Sequence, residues 1–199
     1  MSARRACRTA GILDAWSEIL RRVPSARLFL KYYGLQNSES QNYFQSKFAA
    51  RGIEPNKIVF EGSSPHHELL AAYNRVDIAL DTQPYSGGVT TCEALWMGVP
   101  VITFTGKTFA GRHATSHLTN AGYRQFIANG EDGYVDLAVH WANQLSSLAS
   151  IHSEMREELR QSSLCDTTRF ANDFLQHIAS AHQSRKSNEP RRTPHARPR

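Results

Sequence analysis

Hydrophobic positions in the chain switch repeatedly between a helical period and short β-rich runs. Ile12, Trp16, Ile19 and Leu20 recur at three and four, which predicts a helix ended by Pro24 and Ser25. Residues 27–31 (RLFLK) read as a strand, and 38–52 as a helix with Gly52 as its stop signal. Residues 57–61 (KIVFE) predict a second strand. After it, Ser64 is placed to cap a helix and Pro65 to occupy its first position. Residues 76–80 (VDIAL) and 99–104 (VPVITF) predict a third and a fourth strand, both too apolar for a surface element. The run after Gly106 predicts a helix stopped by Gly122, and 125–128 a fifth short strand. Helices follow at 133–148, 151–162 and 168–181.

Strands alternating with helices are the pattern of a parallel sheet with crossover helices, so the expected fold is α/β and Rossmann-like. The strand that should precede the first helix in such a fold is not evident. No internal repeat is present. A length of 199 residues suits one domain with a real core. The expected organisation is a flexible start over 1–10, a folded lobe over 11–183 and a disordered basic tail over 184–199.

Charge adds little to this picture. The formal net charge is +5 with a pI near 9.3, but the tail accounts for the whole excess. It holds Arg185, Lys186, Arg191, Arg192, Arg197 and Arg199 against Glu189 alone. It has no branched apolar or aromatic residue with which to offset its ordering entropy. Nucleic-acid binding is therefore not expected of the lobe and is left only to the tail, which lacks interleaved aromatics. Cys7, Cys92 and Cys165 are dispersed and odd in number, which excludes a disulfide frame and a cysteine zinc site and predicts a reducing, cytoplasmic setting. No segment approaches the roughly 18 apolar residues of a transmembrane helix, so no membrane partner is expected.

The candidate chemistry sits where the third strand passes into a helix, in LDTQPYSGGVTTCEALWMGVP (80–100). Ser86, Gly87 and Gly88 let backbone approach a ligand closely. Thr90 or Thr91 is expected to open the helix, so amides from Gly88 to Thr91, with Val89 and Thr90 among them, face a diphosphate at the favourable end of the helix dipole. No metal is required for this. Thr90 and Glu93 also match a capping box, in which Glu93 returns to the cap's own amide; the alternative is a carboxylate that accepts from both ribose hydroxyls of a nucleotide. Spacing leaves both open. Arg112, rather than Lys107, is the better anion-binding side chain after the fourth strand. His113 and His117 stand four apart but lack a third ligand nearby, so no metal site is assigned.

The run RVDIALDTQPYSGGVTTCEALWMGVPVITFTGKTFAGRHATSHLTNAGY closely resembles the C-terminal catalytic lobe of the bacterial and plant O-GlcNAc transferase family, including its SPINDLY-type members. The likeness extends upstream through AWSEILRRVPSARLFLKYYGL and FAARGIEPNKIVFEG and downstream to SSLCDTTRFANDF, covering roughly residues 16–174. The resemblance implies the C-terminal half of a GT-B fold and a metal-independent, inverting transfer of N-acetylglucosamine from UDP-GlcNAc to Ser or Thr of proteins. It implies no cofactor beyond the donor itself. It places Gly88, Val89 and Thr90 at the donor's diphosphate, Glu93 at the ribose, and Ser64, Pro65 and His66 beside the uracil and phosphates. Family members supply the groups that position and deprotonate the acceptor largely from an N-terminal lobe, and hold acceptor proteins with N-terminal helical repeats. No catalytic residue is therefore assigned, and this chain alone is expected to be weakly active or inactive. A relative that transfers glucose to Asn, and a noncatalytic UDP-sugar-binding or interaction module, are the alternative readings.

Overall fold

A computed structural model describes residues 10–188; the expected flexible start before Ala10 and the tail beyond Asn188 lie outside the described residues. Helix α1 (Ala10–Arg22) buries Ile12, Leu13, Trp16, Ile19 and Leu20 along one stripe, and Arg21 and Arg22 in its last turn suit the negative end of its dipole. Strand β1 (Leu28–Lys31), α2 (Ser38–Ala49), β2 (Ile58–Glu61) and α3 (His66–Ala72) follow. Next come β3 (Ala79–Leu80), α4 (Val89–Trp96), β4 (Val101–Phe104), α5 (His113–Ala121) and β5 (Ile127–Ala128). The chain ends in three helices, α6 (Asp132–Ala142), α7 (Leu145–Gln161) and α8 (Thr167–Asn188).

All strand pairs are parallel. β1 lies beside β2 with Leu28 opposite Ile58, β3 beside β4 with Ala79 opposite Val101, and β4 beside β5 with Thr103 opposite Ile127. The sheet comes in two pieces, β1-β2 and β3-β4-β5, with no ladder between β1 and β3 among the described residues. Helices α1 and α6 pack side by side and are tied by Arg22 donating to Asp136 at 2.6 Å. This is the α/β, Rossmann-like architecture the pattern predicted.

Four boundaries differ from expectation. Ser64 does not cap α3: the helix starts at His66, Pro65 with ψ 152° stands at the cap, and the Ser64 hydroxyl is buried without a partner among the described residues. The helix expected directly after Gly106 splits into a tight turn over Phe109–Arg112 and α5. The carbonyls of Ala110 and Gly111 accept from the Ser86 and Gly106 amides, so an α-helix cannot use them. The break expected after residue 148 falls at Asn143 instead. The Asn143 side chain takes the Val139 carbonyl, while Ser150 and Ser153 donate back to carbonyls inside α7 and leave it continuous. Finally, α8 runs on to Asn188, into the stretch expected to be tail, with Phe170, Phe174, Leu175 and Ile178 exposed along it.

Candidate functional site

Strand β3 ends at Leu80, and the carboxylate of the next residue, Asp81, gathers three of the hydrogen bonds that shape the following loop. Oδ2 accepts from Ser86 Oγ at 2.7 Å and Thr103 Oγ1 at 2.6 Å, and Oδ1 accepts from the Gly87 amide at 2.7 Å. Ser86 Oγ in turn accepts from the Ala114 amide at 2.9 Å, so the same side chain fixes the start of α5. Tyr134 donates to the Asp81 carbonyl at 2.8 Å. Burial pushes the Asp81 carboxyl up from its ordinary range, opposed by these donors. The sequence pattern does not single out Asp81, which follows directly on the predicted strand 76–80. An acidic residue followed by Ser-Gly at five and six was the available local signal; Thr103 and Ala114 were not legible.

The loop held in this way delivers Gly87 and Gly88 to the head of α4. A Cβ on Gly87 would lie 2.7 Å from Thr91 Oγ1 and 2.9 Å from Thr90 Oγ1, and one on Gly88 would lie 3.3 Å from His113 Nδ1. Gly87 therefore has no room for a side chain, while at Gly88 the His113 ring would have to give by a few tenths of an ångström. Helix α4 opens at Val89 with Gly88 at the cap and no side-chain cap bond. The capping-box reading of Glu93 is thus corrected: Thr90 lies inside the helix, and the Glu93 carboxylate meets His66 Nε2 at 2.9 Å. Thr91 is corrected as well. Its amide donates to the Gly88 carbonyl and its hydroxyl to the Gly87 carbonyl, so both are used within the protein. The amides of Gly88, Val89 and Thr90 have no partner among the described residues.

These three residues line a cavity of about 850 Å³ whose walls include Tyr32, Tyr33, Tyr73, Asp81 and His113. It lies at the carboxyl ends of β1 and β3, the side on which open α/β sheets bind ligands. Tyr73 donates to the Thr90 carbonyl at 3.3 Å, and burial, then the Glu93 charge, raise its phenol above the ordinary range. His113 packs edge-on against Phe109, and burial together with His113 lowers His117.

Not every predicted site residue reaches this cavity wall. Gly87, Gly88, Val89, Thr90 and Thr91 do; Ser64, Pro65, His66, Glu93 and Arg112 do not. His66 and Glu93 nevertheless meet across the gap between α3 and α4, and Glu93 is the more buried partner. Arg112 is exposed and its Nε donates to the Gly106 carbonyl at 2.9 Å. Among the described residues, no three His, Cys, Asp or Glu side chains gather as metal ligands, and no helix is long and apolar enough to cross a membrane.

A family model described as glycosyl transferase family 41 matches residues 9–174. The chain belongs to glycosyl transferase family 41. A protein of Petunia hybrida named as a probable UDP-N-acetylglucosamine–peptide N-acetylglucosaminyltransferase SPINDLY is 35% identical over 88% of this chain and 19% of its own length. Its namesake in Solanum lycopersicum is 34% identical over 83% of this chain and 18% of its own. A solved structure of a mutant O-GlcNAc transferase of Thermobaculum terrenum superposes with a TM-score of 0.79 at 36% identity, covering 84% of this chain and 32% of that one. The family 41 chain described here spans about a fifth of the length of these curated relatives. The sequence resemblance and the GT-B-lobe fold it implied are thereby shown.

Proposed function

We propose that this family 41 chain is the donor-binding lobe of a transferase that moves N-acetylglucosamine from UDP-GlcNAc to Ser or Thr of proteins. One observation carries the reading: Gly88, Val89 and Thr90, whose amides are unpartnered among the described residues, stand at the start of α4 and line a cavity of about 850 Å³. They match a diphosphate in charge and in hydrogen-bonding sense. As the anomeric C–O bond breaks, negative charge grows on the leaving diphosphate, and fixed donors there lower the barrier without a metal. Glu93, which lies behind the lining residues and meets His66, is then the acceptor for the ribose hydroxyls and His66 its positioning partner, with Ser64 and Pro65 in the segment leading to His66. No cofactor beyond the donor enters, and acceptor protein and proton acceptor are met by segments outside this lobe. The relatives' printed names support the sugar and the peptide acceptor.

Titrating the ¹⁵N-labelled chain with UDP and UDP-GlcNAc tests this. Saturable shifts centred on the Gly88, Val89 and Thr90 amides are expected. A folded chain whose amides there stay unmoved at millimolar nucleotide refutes it.

A further inference from the structure

His113 stands where the head of α5 meets the loop that carries the glycines. Its backbone is placed by the neighbouring Ala114 amide, which donates to Ser86 Oγ at 2.9 Å, and so by the same Asp81 network that delivers Gly87 and Gly88. Its ring packs against two aromatic rings, with centroids 4.9 Å from Phe109 and 6.0 Å from Tyr85. The side chain lines the cavity of about 850 Å³ together with Gly88, Val89 and Thr90. Among the described residues, however, neither ring nitrogen has a hydrogen-bond partner, and Nε2 is enclosed by protein. Enclosed polar atoms are nearly always paired, so this imidazole is not there to serve the packing of the lobe.

The enclosure of Nε2 fixes the tautomer. A buried N–H without an acceptor is the rarer and costlier omission, and a bare acceptor the milder one. The neutral ring therefore leaves Nε2 bare and carries its proton on Nδ1. Nδ1 is also the atom that comes nearest to Gly88, 3.3 Å from where a Cβ on that glycine would stand. Standard bond lengths then put it within about 6 Å of the Gly88 nitrogen. The oxygens of one phosphate, each about 2.9 Å from its donor, span that separation. We infer that His113 is a nucleotide-binding residue whose Nδ1–H donates to a phosphate oxygen of the donor, joining the backbone amides of Gly88, Val89 and Thr90. Protonated imidazole donates from the same atom, so the contact holds in either charge state. The inference rests on the donor-site reading and adds to it a side chain that the sequence pattern singled out only for its spacing from His117.

Calorimetry with UDP and with uridine, on the full chain and two variants, tests it. Leucine fills the site without a donor, whereas asparagine carries an amide N–H in the place of Nδ1. His113→Leu should bind UDP at least about tenfold more weakly than the parent, as the loss of a hydrogen bond to a charged group does, while His113→Asn should stay within about threefold. Uridine should bind all three proteins equally. A second measurement needs only the parent fold: imidazole ¹⁵N spectra at mildly alkaline pH should show the His113 proton on Nδ1 and that signal moving as UDP is added, the His113 pair being the one missing from the variants. UDP bound equally by the parent and His113→Leu, an asparagine variant as weak as the leucine one, an equal loss for uridine, or a proton on Nε2 overturns the inference and leaves the donor-site reading standing. A folded parent that binds no UDP overturns both.

Discussion

Replacing Val89 with proline isolates the contribution of one backbone donor. Position 89 is the first residue of α4, where a helix tolerates proline because that amide has no intrahelical acceptor. The Val89 side chain is 74% exposed, so no core contact is lost. The preceding residue is Gly88, whose missing Cβ removes most of the clash a proline imposes on its predecessor. The substitution therefore deletes one N–H from the proposed diphosphate cradle while the fold remains intact. A hydrogen bond to a charged group contributes about 1.5–3 kcal/mol, and about 1.4 kcal/mol is tenfold in affinity. Val89→Pro should weaken UDP binding by about tenfold to a hundredfold in calorimetry, with a melting temperature close to that of the parent. Uridine, which carries no phosphate, should bind the two proteins equally. An unchanged UDP dissociation constant in a folded variant, or an equal loss for uridine, refutes the reasoning.

Gly87→Ala forces a Cβ to within 2.7 Å of Thr91 Oγ1 and should cost about 1–3 kcal/mol of stability as overpacking does, read as a lower urea midpoint with an unchanged slope. Asp81→Ala strands the Ser86 and Thr103 hydroxyls and the Gly87 amide; at about 1–3 kcal/mol for each group left unpaired it should melt well below the parent, and a loss under about 1 kcal/mol would show that the loop is held by other contacts. Glu61 accepts from Arg75 at 2.6 Å and Lys31 at 3.2 Å, which lowers its carboxyl from 4.5 to about 2, Arg75 being the larger cause. Because the folded value is depressed, its stabilisation is full above pH 4.5 and fades as pH falls toward 2; acid unfolding followed by circular dichroism should show less loss across that window in Glu61→Gln than in the parent.

The sequence by itself determined the elements and their class. The stripe of Ile12, Trp16, Ile19 and Leu20, the apolar runs of the strands and the stop at Gly122, where φ is 88°, are local signals read within a few residues of one another. The glycine junction at residues 86–88 was legible for the same reason, since an unobstructed backbone before a helix is written in consecutive positions. The tertiary structure decided what joins distant parts of the chain. It assigned Glu93 to His66, 27 residues away, over the capping box that spacing allowed. It gave the Ser86 hydroxyl to Asp81 and the Ala114 amide, turned Arg112 to the Gly106 carbonyl, and withdrew Thr91 into the loop. It also paired β1 with β2 and β3 with β4, which periodicity along a strand cannot report. Hydrogen-bond partners are chosen by which groups the packed elements bring within about 3 Å, and that distance is a property of the assembled fold.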